Sequence, residues 1–245
     1  MNAELQCFPA DAAVPQYLQE TYWWAYVHPR AVQVFERQWL VNLILWGNFN
    51  RLRDAAIGAL GADLEGRTLQ VACVYGDLTR RIAGRLAHGG QLHVVDVLRI
   101  QLDNLARKLP GRLLRRHGRH GSRQPPVELI QGDSAALEFA SSSYDRALLF
   151  FLLHEQPESV RRETLAEALR VVKPGGRVVI VDYHRPHPLN PLYWPMAGIF
   201  RTLEPFALDL WRSEVASWFP SGTGLASMRK RTFFGGLYQL VSITV

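Results

Sequence analysis

Cysteine is scarce in this chain, with Cys7 and Cys73 alone among 245 residues. That excludes a disulfide-stapled scaffold, and a chain of this length buries about three quarters of its unfolded surface without one. Both cysteines read as free thiols of a reducing compartment. Long apolar runs are also lacking. A spanning helix needs roughly 18–20 apolar residues, and the densest stretch, Trp39 to Trp46, is broken by Asn42. The first ten residues have no basic start followed by an apolar core, and Glu4 stands where a secretory leader would carry a base, so the expected location is the cytoplasm. There is no internal repeat, which excludes a solenoid. Proline is absent from Ala31 to Leu60, where Trp39, Leu43 and Trp46 recur at helical spacing and predict a helical lead-in.

What the chain does have is positive charge, a formal +6, and the charge is local. Seven of the 28 basic residues fall between Arg107 and Arg123 (Arg107, Lys108, Arg112, Arg115, Arg116, Arg119, Arg123). Such a patch suits anionic lipid or nucleic acid, or is simply a solvated helix end and loop. Nucleic acid is not expected, because single-strand binders interleave aromatic and basic residues and here the two cluster far apart in sequence.

From Thr68 onward short apolar runs alternate with helical periods. Strands are expected at Thr68–Val74, Gln91–Val95, Val127–Ile130, Arg146–Leu152 and Arg177–Val181, with helices at Asp77–Ala87, Leu98–Leu109 and Glu158–Val172. Lys173-Pro174-Gly175-Gly176 reads as the turn into the fifth strand. Arg231–Phe234 and Leu237–Val245 flank Gly235-Gly236 and predict a closing hairpin. The pattern gives an α/β fold, a mostly parallel seven-stranded sheet with a late antiparallel hairpin. Residues 1–65 form a helical N-terminal extension, a lid facing substrate or membrane, before a domain at 66–245.

In an open α/β sheet, ligands bind beyond the carboxyl ends of the strands. Tyr75-Gly76-Asp77 follows the first strand, with a glycine for a close turn and Asp77 placed to cap a helix. Asp96 ends the second strand, twenty residues after Gly76, a spacing that suits hydrogen bonds from both hydroxyls of a ribose. Asp133-Ser134 follows the third strand, where a carboxylate can meet an adenine amino group. Three acids at successive strand ends point to a nucleoside-containing cofactor.

These residues, with Tyr144-Asp145 and Lys173-Pro174-Gly175-Gly176, resemble the Rossmann-like class I S-adenosylmethionine-dependent methyltransferase fold over most of residues 65–245. The tail from Thr232 to Tyr238 is similar to the ubiquinone and menaquinone C-methyltransferases. The resemblance implies that Gln70, Val74, Tyr75, Gly76, Asp77, Asp96, Asp133 and Ser134 bind S-adenosylmethionine. It also exposes a departure. The first loop of those enzymes runs D-x-G-x-G-x-G, and this chain has Gln70, Ala72, Val74 and Gly76 at the four places, so the carboxylate that would hold the cofactor's amino group is absent at Gln70.

That altered loop, and the segment Tyr22-Trp23-Trp24-Ala25-Tyr26-Val27-His28-Pro29, resemble the rhodoquinone-biosynthesis proteins. The resemblance implies replacement of a ring methoxy group of ubiquinone by an amino group drawn from S-adenosylmethionine, with manganese(II) present. Manganese takes oxygen and imidazole ligands, and His154, Glu155, Asp182 and His184, after the fourth and fifth strands, are the candidate metal ligands and catalytic acids and bases. Neighbours on an extended chain face opposite ways, so one of each pair is expected to face the site. Tyr22, Trp23, Trp24 and Tyr26, with Tyr17, suit a flat quinone ring, or simply pack a helix on the sheet. A quinone held in lipid calls for peripheral contact with the inner face of the membrane, with Trp39–Trp46, Pro191–Phe200 and the basic patch as candidate surfaces. Ordinary methylation of a quinone or other small molecule, and a non-catalytic binding module, are the rival readings.

Overall fold

The structure is a computed structural model and describes residues 14–21, 37–114 and 125–245. Tyr22, Trp23, Trp24 and Tyr26, and Arg115, Arg116, Arg119 and Arg123 of the basic patch, lie outside the described residues. Seven strands form one sheet in the order β3-β2-β1-β4-β5-β7-β6. They are β1 (Arg67–Val71), β2 (Gln91–Asp96), β3 (Val127–Gln131), β4 (Tyr144–Phe150), β5 (Val172–Tyr183), β6 (Ser227–Phe233) and β7 (Tyr238–Thr244). The first five run parallel, while β7 is antiparallel to both β5 and β6.

The helices in chain order are α1 (Gln16–Thr21), α2 (Gln38–Ile44), α3 (Phe49–Leu60), α4 (Leu78–Ala83), α5 (Arg99–Lys108), α6 (Gly111–Leu114), α7 (Glu158–Val171), α8 (Tyr193–Thr202) and α9 (Asp209–Arg212). Strands β1, β2, β4 and β5 are apolar on both faces because helices cover both faces, and Leu69, Val71, Val94, Leu148, Val179 and Ile180 are fully or almost fully buried. The edge strand β6 is exposed along nearly its whole length. Its Arg229, Lys230 and Arg231 supply the charge that discourages pairing with another sheet edge.

Two local expectations change in the structure. The proline-free lead-in is not one helix up to Leu60. Trp46 and Gly47 take positive φ of 51° and 77° and separate α2 from α3. The apolar side of α3, with Phe49, Leu52, Ala56, Ile57 and Leu60, packs into the same core as the sheet. The Lys173–Gly176 segment is not a turn between helix and strand but an excursion within β5. Tyr144 pairs with Val172 and Arg146 with Arg177, so the intervening residues bulge from the ladder. Gly176 has no room for a side chain there, since a Cβ would stand 2.6 Å from Val172 and 2.8 Å from the Asp145 carbonyl.

The chain passes from β1 outward to β3 and then returns to lay β4 on the other side of β1. This reversal splays the loops after β1 and β4 apart and opens a crevice at the carboxyl ends of the strands.

Candidate active site

A cavity of about 380 Å³ occupies that crevice. Its lining comes from the ends of five strands: Ala72 to Tyr75 after β1, Asp96 to Leu98 at and after the end of β2, Gly132 to Ser134 after β3, Phe151, Leu152, His154 and Glu155 after β4, and Tyr183 at the end of β5. Val41, Ile44 and Leu45 of α2 and its end, Phe49 of α3, and Ile199, Leu203 and Glu204 from α8 and beyond close its apolar side. Tyr17 of α1 also enters it. Burial raises the Tyr17 phenol well above its usual pKa, with Glu155 and Asp133 adding to the effect.

The nucleoside end is built around Asp96. Its Oδ2 accepts the Cys73 N–H at 2.7 Å and its Oδ1 accepts the Leu98 N–H at 2.8 Å, so one carboxylate ties the β1 loop to β2 and fixes the entry of α5. Burial raises its pKa to about 6, against the pull of the Cys73 and Leu98 hydrogen bonds. Asp133 is exposed at the rim, its Oδ1 accepting the Ala135 N–H at 2.9 Å. Ser134 lies in a hydroxyl and amide cluster with Thr164 at 2.9 Å and Gln156 at 3.0 Å. Val74 and Tyr75 line the cavity, and the Tyr75 hydroxyl accepts from Gln101 Nε2 at 3.0 Å.

The other three loop residues lie outside the lining. Gln70 is fully buried beneath the loop. Its Oε1 accepts from Thr79 Oγ1 at 2.9 Å and its Nε2 donates to the Ala72 carbonyl at 3.0 Å. Gly76 has φ +86° and faces the Phe49 ring, which a Cβ would meet at 2.8 Å. Asp77 stands at the N-terminus of α4 without capping it. Its carboxylate instead pairs with Arg53 at 2.7 Å and with Arg81.

At the opposite end of the cavity, a short turn over Leu153–Glu155 brings in the buried His154. Asp182, at the end of β5 and fully buried, organises it. Oδ2 of Asp182 accepts the Leu153 N–H at 2.8 Å, and Oδ1 lies 2.9 Å from His154 Nδ1 and accepts the Tyr183 N–H at 2.8 Å. His154 Nε2 then lies 3.7 Å from Glu155 Oε1 and 3.7 Å from Glu204 Oε2. Burial lowers the imidazole pKa, but Asp182, Glu204 and Glu155 outweigh it and hold the group at about 9. His154 is therefore a cation near neutrality, ringed by the edges of Phe151 at 5.9 Å and Tyr183 at 4.9 Å.

Glu204 was not among the residues expected from the sequence. Burial raises its pKa, His154 opposes the rise and Asp182 adds to it, and its Oε2 makes no hydrogen bond. The available signal is a lone carboxylate between the apolar run Tyr193–Leu203 and Pro205. His184 is placed elsewhere. It lines a second cavity of about 950 Å³ with Arg51, Arg185 and Arg212, and its Nδ1 lies 2.8 Å from the Gly236 carbonyl. The four expected metal and acid-base residues thus form two groups, His154, Glu155 and Asp182 together and His184 apart.

Residues 68–176 match a family described as a methyltransferase domain. A solved S-adenosylmethionine-dependent methyltransferase from Aquifex aeolicus aligns with a TM-score of 0.53 at 14% identity, covering 89% of this chain and 99% of that one. The chain has the fold of the class I methyltransferases. Phosphoethanolamine N-methyltransferase 2 of Haemonchus contortus, solved in complex with S-adenosylmethionine, aligns with a TM-score of 0.59 at 13% identity over 94% of this chain and 60% of that one. Among curated proteins, a ubiquinone/menaquinone biosynthesis C-methyltransferase of Ectopseudomonas mendocina is 30% identical over 154 residues, 62% of this chain and 55% of that protein. A demethylmenaquinone methyltransferase of Lactobacillus johnsonii is 29% identical over 154 residues, 62% of this chain and 59% of that protein. The chain thus spans somewhat more than half the length of these two relatives.

Proposed function

We propose that this protein is an S-adenosylmethionine-dependent transferase acting on a quinone, and that the group it transfers is an amino group, converting ubiquinone to rhodoquinone. The quinone part is supported by the likeness to ubiquinone/menaquinone and demethylmenaquinone methyltransferases. The amino part is supported by one observation: the residue at the place of the cofactor-binding carboxylate is Gln70, neutral and locked under the loop by Thr79 and the Ala72 carbonyl. When bound, S-adenosylmethionine would supply either an electrophilic methyl group or its neutral α-amino nitrogen, which replaces the ring methoxy group with loss of methanol. The bond from that nitrogen to the α-carbon would then break by oxidation of the carbon at the expense of the quinone ring and hydrolysis, releasing a 2-oxo acid and leaving the amino group on the reduced ring.

The fit of that cofactor rests on the buried Asp96 carboxylate, which faces the cavity at the end of β2. In the proposed reaction Asp96 accepts from the ribose hydroxyls and Asp133 and Ser134 flank the adenine. No side-chain carboxylate of the β1 loop meets the α-amino group, which removes an interaction that would hold it protonated. His154, a cation at the cavity floor, presents Nε2–H to a quinone oxygen and stabilises the negative charge that grows there during addition. Glu155 and Glu204 flank that same nitrogen and receive a proton. The apolar side formed by α2 and α8 holds the ring and its tail, with Tyr17 beside them.

Manganese(II), the other cofactor the resemblance implies, would have to be held by His154 Nε2 with Glu155 and Glu204, because His184 lies in the other cavity. Among the described residues no group of three or more His, Cys, Asp and Glu side chains is disposed to hold a metal ion.

A second reading, C-methylation of a quinone ring, is favoured by the names of the relatives. The two separate in one experiment. Purified protein is incubated with a short-tailed ubiquinone and S-adenosylmethionine carrying nitrogen-15 at the α-amino group, with and without manganese, and the quinone is weighed by mass spectrometry. Heavy nitrogen in a product that has lost methoxy is the expected result. A product heavier by one methyl group establishes the second reading. Among the described residues no helix is long and apolar enough to cross a membrane, and the proposal places the protein peripherally on the cytoplasmic face, where a prenylated quinone is met.

A further inference from the structure

Apolar side chains normally left on a protein surface are scattered singly. Here they gather at the cavity mouth. On α2 and its end, Trp39, Leu43 and Trp46 are 62%, 63% and 44% exposed; on and beside α8, Trp194, Leu203 and Leu189 are 74%, 48% and 86% exposed. The two elements are tied together, since the Trp46 indole N–H donates to Met196 Sδ at 3.3 Å. Between them open Val41 and Ile44 on one side and Ile199 and Leu203 on the other, all lining the active-site cavity. The ridge is therefore also the doorway.

The second cavity lies beside the same ridge. Phe49 lines the active-site cavity and Arg51 the second one, so the first turn of α3 divides the two. Trp211 lines the second cavity and packs on Tyr193 and Phe200 of α8, at 5.1 and 5.3 Å. Its charge is lopsided. Arg51, Arg185 and Arg212 line it with one carboxylate, Glu214, which Lys230 already engages at 2.6 Å; Arg212 has Asp209 at 3.7 Å outside the lining, which leaves Arg51 and Arg185 as the surplus. An apolar ridge with tryptophans, flanked by a cleft of surplus guanidinium groups, is the complement of a bilayer edge with anionic headgroups.

We propose that the α2–α8 ridge docks on an anionic bilayer, with the Arg51–Arg185–Arg212 cleft seating lipid phosphates, so that the active-site cavity opens directly into the acyl layer. The proposal deepens the quinone reading and rests on it for the reason a cavity should open toward lipid. A partner protein would bury the ridge equally well but would leave the basic cleft and the cavity mouth without a shared purpose.

The test is sedimentation of the purified full chain with vesicles of phosphatidylcholine alone or with about a third phosphatidylglycerol, at low and high salt. Binding to the anionic vesicles, weakened by salt, is expected. The paired change Arg51→Glu with Arg185→Glu should weaken it at least tenfold, and Trp39→Ser with Trp194→Ser should weaken it at every salt concentration. Circular dichroism and S-adenosylmethionine binding by calorimetry should be unchanged in both variants, which guards against misfolding. Equal binding to neutral vesicles overturns the role of the arginines. No binding to either vesicle overturns the whole proposal, and a dimeric mass by light scattering in that case assigns the ridge to a second copy of the chain. Conversion of a water-soluble short-tailed quinone without vesicles reports on the quinone reading separately, so that the two can fail independently.

Discussion

The His154–Asp182 pair makes stability depend on pH in a way that one substitution should abolish. His154 has a folded pKa of about 9 against 6.5 for the free group, because Asp182, Glu204 and Glu155 outweigh the burial that opposes them. A raised histidine pKa means that the folded state binds a proton the unfolded chain has released. The stabilisation is fully present below pH 6.5 and is lost as pH rises through about 9. At about 1.4 kcal/mol per unit, the shift corresponds to roughly 3 kcal/mol. Asp182→Asn removes the charge that causes most of the shift. It also places an amide NH₂ among groups that now donate to Asp182, namely the backbone N–H groups of Leu153 and Tyr183, so a cost of about 3–5 kcal/mol near neutrality is expected. The assay is urea unfolding of both proteins at about pH 6 and about pH 9.5. Groups that titrate elsewhere contribute alike to both, so the difference isolates His154. The wild type should lose roughly 3 kcal/mol more than the variant across that window. Equal losses would refute the assignment of His154 as a buried cation.

Two further outcomes concern the β1 loop. Asp96→Asn turns one acceptor of the Cys73 and Leu98 N–H groups into a donor; calorimetry should show S-adenosylmethionine affinity lower by at least about tenfold, since hydrogen bonds to charged groups are worth about 1.5–3 kcal/mol. Wild-type affinity should also weaken as pH falls below about 6, where Asp96 gains its proton, and the variant should show no such slope. Gly76→Ala combines φ +86° with a Cβ 2.8 Å from the Phe49 ring, so thermal unfolding should report a loss of about 1–3 kcal/mol.

The sheet was legible because both its signals are periodic. Apolar runs such as Leu148–Leu152 and Val178–Val181 have no polar side, which only a strand covered on both faces tolerates, and Gly235-Gly236 marks the closing hairpin. Strand ends were less legible. The first and fourth strands stop sooner than their apolar runs do, at Val71 and Phe150, because Ala72 and Phe151 turn to positive φ of 70° and 54°. Non-glycine residues at such angles are held there by tertiary packing, which leaves no mark in the sequence, and both line the cavity. Of the candidate site, Asp96 and His154 could be read from their position after a strand. Glu204 could not, since it follows a helix that only the folded chain brings against His154. His184 shows the converse. It stands two residues from Asp182, yet the chain leaves β5 on the far side of Tyr183 and delivers it to the other cavity.

The substitution that probes the proposed chemistry most directly is Gln70→Glu. It keeps the shape of the side chain and restores a charge one backbone layer beneath Ala72. The Thr79 hydroxyl still donates to it, but the second oxygen faces the Ala72 carbonyl at the place where Nε2 now donates at 3.0 Å. Two acceptors in contact in a fully buried position should cost about 1–3 kcal/mol, readable as a lower denaturation midpoint, and part of that strain is relieved if the charge finds a cationic partner. A bound cofactor with a protonated α-amino group is such a partner. Affinity for S-adenosylmethionine should therefore hold or tighten in the variant, while transfer of heavy nitrogen to the quinone falls at least tenfold, because the amine is held protonated and its lone pair is withdrawn from the ring. Tighter binding with nitrogen transfer undiminished would separate the loop from the chemistry and leave the neutral glutamine without a catalytic reason.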